Sequence, residues 1–214
     1  MWESGIIGGM QNRRRRWLFG TALFLAACSQ PAPKQVVIPE VYRVKFETSK
    51  GDFVVEVTRG WAPRGADRFH ELLRTRYYDE SRFFRVLPGF IAQFGIHKDF
   101  DVHAKWRELV IADDPPKEKN LGGTLAFAQS GPNTRATEVF INLKDNPELD
   151  EDRFTPFGKV VQGMEVADML YSGYGELGPQ GKGPDAGRVE NETNEYVVPR
   201  FPKLDYIKRA RFVE

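Results

Sequence analysis

The sequence has a single cysteine, three histidines and almost no excess charge among its 214 residues. Because Cys28 carries the only thiol, the chain cannot form an internal disulfide or a metal site built on paired cysteines. His70, His97 and His103 do not follow the spacing of metal ligands, so we expect neither a metal nor another cofactor. The formal net charge of +1 argues against a nucleic-acid-binding protein, which usually carries a basic surplus.

The sequence also lacks an apolar run of the roughly 20 residues that a membrane-spanning helix needs. The apolar stretch at 17–27 is shorter and follows four consecutive arginines at 13–16. A basic segment, a short apolar segment and then small residues are typical of an export signal. The four residues at 25–28, Leu-Ala-Ala-Cys, resemble the lipobox of bacterial lipoproteins, in which the cysteine receives the lipid.

We therefore predict a lipoprotein signal peptide at 1–27, a lipidated Cys28 with a flexible tether at 28–40, and one folded domain at 41–214. This organisation implies a protein of the bacterial cell envelope that is held on a membrane by lipid and faces the periplasm. Ser29 after Cys28 points, by analogy, to the outer membrane. The alternative is an ordinary signal peptide with an incidental cysteine, and the start at Met1 or Met10 is left open.

Residues 41–214 show mainly β patterns. Tyr42, Val44 and Phe46 alternate with polar residues, and the alternation resumes after the turn at 49–52, which predicts a hairpin. Two helices are predicted, one beginning at Pro63 and one over 164–171. Many short strands with few helices favour a closed or nearly closed barrel, because closure removes exposed sheet edges. The Gly-rich segment 173–178 follows a predicted helix, so it is interpreted as a loop and not as a dinucleotide site.

Three segments carry a resemblance to a known family. They read FFRVLPGFIAQFG at 83–95, FAQSGPNT at 127–134 followed by EVFINL at 138–143, and PFGKVVQGM at 156–164. All three resemble signature regions of cyclophilins and stand in the family's order within 42–213. The resemblance implies a mainly β fold, a closed eight-stranded antiparallel barrel capped by two helices. It also implies peptidyl-prolyl cis-trans isomerase activity without a cofactor.

The resemblance also implies roles for individual positions. Arg85 matches the catalytic arginine, Gln93 the glutamine that orients it, and Ala128 and Gln129 the strand that binds the peptide backbone. The substrate-binding positions that the resemblance predicts are Phe84, Phe90, Ile91, Gln93, Ala128, Gln129, Glu138, Phe140, Leu149 and Phe154.

The chemistry of an arginine in an apolar groove agrees with this activity. Rotation about an X–Pro bond meets a barrier of about 18–20 kcal/mol, because the amide nitrogen shares its lone pair with the carbonyl. A guanidinium that donates to the prolyl nitrogen stabilises the twisted state more than the planar one. Such a charge-assisted bond, at about 1.5–3 kcal/mol, accounts for one to two decades of rate.

Two departures from the family pattern affect these expectations. Glu138 stands where the family carries a glutamine, and an ionised carboxylate cannot donate a hydrogen bond. It could also pair with Arg85 and compete with substrate. Glu148 stands near the position of a tryptophan that contacts cyclosporin in eukaryotic members, so weak cyclosporin binding is expected.

We expect a monomeric isomerase whose partners are proline-containing peptides and unfolded exported proteins, with a membrane contact through its lipid. The alternative function is a proline-peptide binding module or chaperone with little turnover, and Glu138 is the residue that motivates it. A structural lipoprotein that uses the barrel only as a scaffold is the third alternative.

Overall fold

A computed structural model of the chain describes residues 37–214. The predicted signal peptide and Cys28 therefore lie outside the described residues. The strands are β1 (Val41–Thr48), β2 (Asp52–Thr58), β3 (Arg85–Leu87), β4 (Ile91–Phe94), β5 (Thr124–Phe127), β6 (Val139–Asn142), β7 (Pro156–Gln162) and β8 (Ile207–Val213). The helices are α1 (Pro63–Arg74), α2 (Phe100–Arg107), α3 (Pro147–Glu151), α4 (Met164–Asp168) and α5 (Ala186–Arg200).

The eight strands form one antiparallel sheet in the order β3-β4-β6-β5-β7-β2-β1-β8. The predicted hairpin is confirmed, because β1 and β2 pair with Val44 opposite Val55 and Phe46 opposite Phe53. These four side chains are buried and their sequence neighbours point outward. The alternation read from the sequence is therefore the alternation of a strand with one buried face.

The sheet curls until the segments that precede its two end strands meet. Arg82 and Tyr206 form an isolated antiparallel bridge. The Phe83 N–H donates to the Asp205 carbonyl at 2.9 Å, and the Ile207 N–H donates to the Ser81 carbonyl at 2.9 Å. The structure is thus a curled half-barrel of eight antiparallel strands, which confirms the predicted mainly β class.

The core lies inside this curl and is rich in phenylalanine. Phe46 and Phe53 stack with ring centroids 4.9 Å apart, and Phe46 meets Phe94 edge to face. Phe69 of α1 lies 4.9 Å from Phe157 of β7, which fixes the helix on the sheet. Each fully buried phenylalanine stabilises the fold by about 1.5–3 kcal/mol relative to an exposed one.

The prediction of only two helices is incomplete. α1 begins at Pro63 as predicted, and α4 ends three residues before the predicted end at 171. The longest helix, α5, was not predicted because its central residues are mostly polar and Thr193 interrupts it with a φ of 47°. Its apolar residues Val189 and Val197 nevertheless cover part of the barrel. Within residues 37–214 we find no helix that is long and apolar enough to cross a membrane.

Candidate active site

The register of four strands brings three of the predicted site residues, Arg85, Gln93 and Phe140, onto one outer face of the sheet. Arg85 of β3 lies opposite Gln93 of β4, Gln93 lies opposite Phe140 of β6, and Phe140 lies opposite Ala126 of β5. Residues directly opposite each other in an antiparallel ladder project to the same side. These four side chains therefore form a row across the sheet, with the cation at one end and apolar groups at the other.

Arg85 is held close to this surface by its neighbours. Its Nη1 donates to Gln93 Oε1 at 3.2 Å, as the resemblance predicted for these two residues. Its guanidinium carbon lies 5.9 Å from the ring centroid of Phe90. The side chain is 20% exposed, so the cation is partly desolvated and still accessible to a ligand. An arginine in this setting makes stronger hydrogen bonds than one in water.

A small apolar pocket adjoins Arg85. Its base consists of the buried residues Ile91, Ala126, Phe140 and Leu149, and its partly exposed walls consist of Phe90, Ala128 and Phe154. Phe140 and Phe154 pack edge to face with centroids 5.5 Å apart. The pocket is thus built from apolar side chains alone and suits an apolar ring such as that of proline. Six of the predicted substrate-binding residues meet here.

Ala128, which also lines the pocket, and the predicted residue Gln129 follow directly after β5. The Ala128 N–H already donates to the Glu138 carbonyl at 2.9 Å. The Gln129 side chain donates to the Asp152 carbonyl at 3.1 Å. A peptide backbone beside this segment would therefore meet the Ala128 carbonyl as an acceptor, and not the Ala128 N–H.

Phe84 lies apart from the other predicted site residues. It is 3% exposed and packs with Ile96, Leu204 and the α5 residues Val189 and Val197, in a cluster separate from the apolar pocket. The reason is α5 itself, which needs an apolar base on the barrel surface. We therefore remove Phe84 from the predicted substrate contacts and assign it to the packing of α5.

Glu138 does not form an ion pair with Arg85, the pairing that the sequence left open. It accepts a hydrogen bond from Gln93 Nε2 at 2.6 Å, and its other neighbour is Glu190 of α5. Glu138 keeps some exposed surface where it lines a cavity, but protein atoms surround its carboxyl. Burial, reinforced by Glu190, raises the pKa of Glu138 well above its usual range.

The neighbouring Glu190 has its pKa shifted in the opposite direction, which favours a proton on Glu138. Burial raises the pKa of Glu190, but hydrogen bonds from His103 and Glu138 outweigh burial and lower it to about 2. The fully buried His103 lies between Glu190 Oε2 at 2.7 Å and the Tyr77 hydroxyl at 2.7 Å. A protonated Glu138 both accepts from Gln93 and donates to Glu190, which are the two functions of a glutamine amide.

Glu176 is the site residue that the sequence did not predict. Its carboxylate accepts from Arg85 Nε at 2.6 Å and from Arg85 Nη2 at 2.7 Å. This residue lies within the Gly-rich segment 173–178, which forms a loop as predicted. Its distance of 91 residues from Arg85 in the chain left no local pattern that could connect the two.

A cavity of about 360 Å³ extends the site beyond Glu138. One side is formed by Gln129, Ser130 and Thr137 of the barrel, and the other by Leu177 and Glu190. Within residues 37–214, no group of three or more His, Cys, Asp or Glu side chains is arranged to hold a metal ion. The arrangement supplies an arginine donor, an apolar ring pocket and polar backbone groups, which are suited to binding and twisting a peptide.

Comparison with known proteins identifies the family. The family model described as cyclophilin type peptidyl-prolyl cis-trans isomerase/CLD matches residues 43–189, which is more than half of the chain. The chain belongs to the cyclophilin family. The activity class predicted from the resemblance, a peptidyl-prolyl cis-trans isomerase, is thereby confirmed.

Named relatives agree with this assignment of the cyclophilin domain. A peptidyl-prolyl cis-trans isomerase of Arabidopsis thaliana is 39% identical over 135 residues, which cover 60% of this chain and 80% of the relative. One of Acinetobacter baylyi is 32% identical over 137 residues, which cover 59% of this chain and 70% of the relative.

Solved structures confirm the cyclophilin fold. A cyclophilin-type isomerase of Cryptosporidium parvum matches with a TM-score of 0.59 at 22% identity, covering 81% of this chain and 98% of that chain. The same protein in the presence of the dipeptide Ala-Pro matches with a TM-score of 0.57 at 20% identity, covering 80% of this chain and 99% of that chain.

Proposed function

We propose that this cyclophilin accelerates the rotation of X–Pro bonds in exported proteins and thereby assists their folding at an envelope membrane. The observation that carries the catalytic part is the placement of Arg85 beside the apolar pocket, with Phe90 contacting both. A proline ring seated in that pocket would bring its amide nitrogen next to the guanidinium. The dipeptide Ala-Pro in the structure of the Cryptosporidium relative supports proline-containing peptides as the ligand class.

The proposed mechanism needs no nucleophile and no proton transfer. Phe140 in the pocket base and Phe154 in its wall hold the proline ring and exclude water, so that the acyl side of the bond is the part that rotates. Arg85 donates to the prolyl nitrogen as its lone pair is released in the twisted state. Gln93 limits the motion of the guanidinium, which lowers the entropy lost when the twisted peptide is bound.

The test is isomerisation of a short Ala-Pro peptide by the full chain in mild detergent, beside the variant Arg85→Ala. We expect rapid catalysis by the wild type and a loss of about ten- to a hundredfold in the variant, since one charge-assisted hydrogen bond is removed. Arg74→Ala, an exposed arginine at the end of α1, is the matched control and should retain full activity.

The other outcomes distinguish the alternatives. A wild type that binds proline peptides without turning them over would support the binding module or chaperone. A wild type that neither binds nor isomerises would show that the groove is assigned wrongly and would favour a scaffold role.

We also propose that the chain is a monomeric lipoprotein anchored through Cys28 on an envelope membrane and facing the periplasm, with the outer membrane as one possible site. The supporting observation is the order of basic, apolar and small residues before Cys28, because export signals have this order. An envelope location would place the isomerase where newly exported, unfolded chains arrive.

We further propose that the barrel is closed at the Arg82–Tyr206 bridge and capped by α1 and α4. The backbone hydrogen bonds on both sides of that bridge support closure. The packing of α1 against β7 and β8, and of α4 against β2, supports the cap.

A further inference from the structure

The guanidinium of Arg85 is held from two directions. Glu176 takes the edge formed by Nε and Nη2, with bonds of 2.6 and 2.7 Å, and Gln93 takes one hydrogen of Nη1 at 3.2 Å. A guanidinium has five N–H donors. Three of them are engaged, which leaves one hydrogen on Nη1 and one on Nη2.

The edge that Glu176 occupies decides which hydrogens of Arg85 remain for substrate. A carboxylate across Nη1 and Nη2, together with Gln93 on Nη1, would engage both hydrogens of Nη1 and leave free only the Nε hydrogen and one on Nη2. Glu176 instead takes the edge that includes Nε, which lies nearest the aliphatic stem, and each terminal nitrogen keeps one free hydrogen. The bidentate geometry also fixes the plane of the guanidinium, which a single hydrogen bond does not.

Glu176 lies in a loop whose backbone segments pack closely against each other. Its Oε1 also accepts from the Leu177 N–H at 2.8 Å, and its carbonyl accepts from the Gly183 N–H at 2.8 Å. A Cβ added at Gly183 would lie 2.7 Å from the Glu176 carbonyl oxygen, so this approach requires glycine. Tyr174 and Leu177, on either side of Glu176, pack against the apolar cluster under α5. The glutamate is therefore anchored on both sides and is not a freely moving surface acid.

The charge state of Glu176 is consistent with a permanent contact. The hydrogen bond from Arg85 lowers the pKa of Glu176 below its ordinary value, despite some opposing burial. The carboxylate is therefore ionised throughout the pH range in which a folding catalyst would work. Glu176 and Arg85 are 35% and 20% exposed, so the pair remains next to solvent and to an incoming peptide.

We propose that Glu176 is a positioning residue for the isomerase reaction, which holds Arg85 with its two remaining N–H groups available to the twisted peptide. This inference rests on the proposed function of Arg85. The loop at 173–183 would then contribute to catalysis, and would not merely link α4 to α5.

The test compares kcat and the affinity for a proline peptide in the full chain and in Glu176→Ala and Glu176→Gln. We expect Glu176→Ala to lower kcat about ten- to a hundredfold, because a misplaced catalytic group has an effect of this size. The peptide affinity should change less than about threefold, since the apolar pocket that supplies most of the contact area is untouched. Glu176→Gln keeps an acceptor oxygen for Arg85 and should restore most of the lost rate.

A double-mutant cycle separates positioning from a structural role. If Glu176 acts through Arg85, adding Glu176→Ala to Arg85→Ala should leave the residual rate unchanged. The exposed Glu195 of α5 provides the matched control, and Glu195→Ala should retain wild-type kcat. Circular dichroism and thermal unfolding of every variant confirm that the fold is retained.

Two results would overturn the inference. One is a Glu176→Ala variant as fast as the wild type or faster, which would make the carboxylate neutral or a competitor of substrate. The other is a further loss of rate in the Arg85→Ala background, which would show that Glu176 stabilises the loop alone. If the wild type is active and depends on Arg85, either result leaves the proposed isomerase function unchanged. An inactive wild type would refute that function itself.

Discussion

Single residues in this domain take their chemistry from neighbours that are distant in sequence. Glu138 is the clearest case, because a carboxylate at this position would be unable to donate a hydrogen bond. Burial against Glu190 favours the protonated acid instead. The pair can then replace the glutamine of the family pattern, so the departure that cast doubt on turnover is compensated within the fold.

The protonated state of Glu138 makes stability depend on pH. The groups that face its carboxyl are Gln93, Arg85 and Glu190, with Tyr77 acting through its charge when ionised. The pKa of Glu138 is higher in the folded state than in the unfolded state. The stability that its protonated form contributes is therefore fully present below the unfolded pKa of 4.5 and is lost as the pH rises through the folded pKa. The loss is up to about 1.4 kcal/mol per pH unit within that window.

We therefore predict that Glu138→Gln is more stable than the wild type at neutral pH, by a margin that increases from pH 5 to pH 8. The glutamine of the variant does not ionise, whereas the wild type loses stability as Glu138 ionises with rising pH. Glu190 has its pKa lowered, so its own contribution is lost only on acidification below about pH 4.5 and does not affect this window. Urea unfolding at several pH values measures the margin.

The exposed Glu151→Gln is the control for this experiment and should show no such trend. A margin that is constant or decreases with pH would contradict the protonated assignment of Glu138. Isomerase activity of Glu138→Gln is expected to stay close to that of the wild type.

The rim of the apolar pocket leads to a prediction about inhibitors. Glu148 of α3 is exposed next to Leu149, which lies in the pocket base. A charged residue supplies neither the apolar area nor the ring of a tryptophan, so we predict weak cyclosporin binding. Titration calorimetry should give a Kd weaker than about 1 µM, and Glu148→Trp should tighten it. Tighter binding by the wild type would refute this prediction.

At the scale of elements, the beginning of α1 is capped by a residue outside the helix. Ala62 at the N-cap position makes no side-chain hydrogen bond. Asp114 instead accepts from the Arg64 N–H at 3.0 Å and the Gly65 N–H at 2.9 Å. It also pairs with Arg135 at 3.1 Å, and Arg135 is 2% exposed. One carboxylate thus satisfies free helix donors and a buried cation at once.

We predict that Asp114→Ala lowers the free energy of unfolding by about 3 kcal/mol, because the buried Arg135 loses its shorter ion pair and keeps only the contact with Asp113 at 3.5 Å. Denaturant unfolding at neutral pH measures the loss. Asp114→Asn should cost less, since its amide oxygen can still accept from the helix. Asp101→Ala on the exposed face of α2 is the control; if it destabilised as much as Asp114→Ala, the capping argument would fail.

The loop at 173–183 and α5 each bring an acidic side chain to the groove of this cyclophilin. The loop carries Glu176 and α5 carries Glu190, and these two acids reach Arg85 and Glu138 respectively. Phe84 lies in the apolar base that holds α5 on the barrel. The aromatic residue at position 84 thus affects the groove indirectly, through the helix that it supports.

At the scale of the whole molecule, the predicted anchor precedes the folded domain in the chain. The first strand begins at Val41, and Cys28 lies outside the described residues. Four arginines in the predicted signal peptide account for the basic character of the full chain, so the mature protein would be slightly acidic. Its attachment to a membrane would then depend on lipid more than on charge.

We predict that labelled fatty acid enters the wild-type protein in bacterial cells and does not enter Cys28→Ser. The wild type should sediment with membranes, whereas the variant should remain in the soluble fraction, because no lipid holds it. Isomerase activity of the two proteins should be equal, which serves as the control for folding. Equal labelling of both proteins would refute the anchor at Cys28.

Local patterns in the amino-acid sequence by themselves determined much of this protein. Alternation over 41–58 specified the first hairpin, Pro63 marked the start of α1, and the segments around Arg85, Phe140 and Phe157 identified the family. These features depend on neighbours two to a few residues apart, where side-chain direction follows directly from the strand or helix period.

Only the tertiary structure decided what surrounds the predicted catalytic residue. The contacts between Arg85 and Glu176, Glu138 and Glu190, and Phe84 and α5 join residues that are far apart in the chain. Neither periodicity nor spacing records such pairs, because they arise when the sheet curls and the polar helix α5 folds back onto it. Burial then set the protonation of Glu138, and that burial exists only once the surrounding elements have packed together.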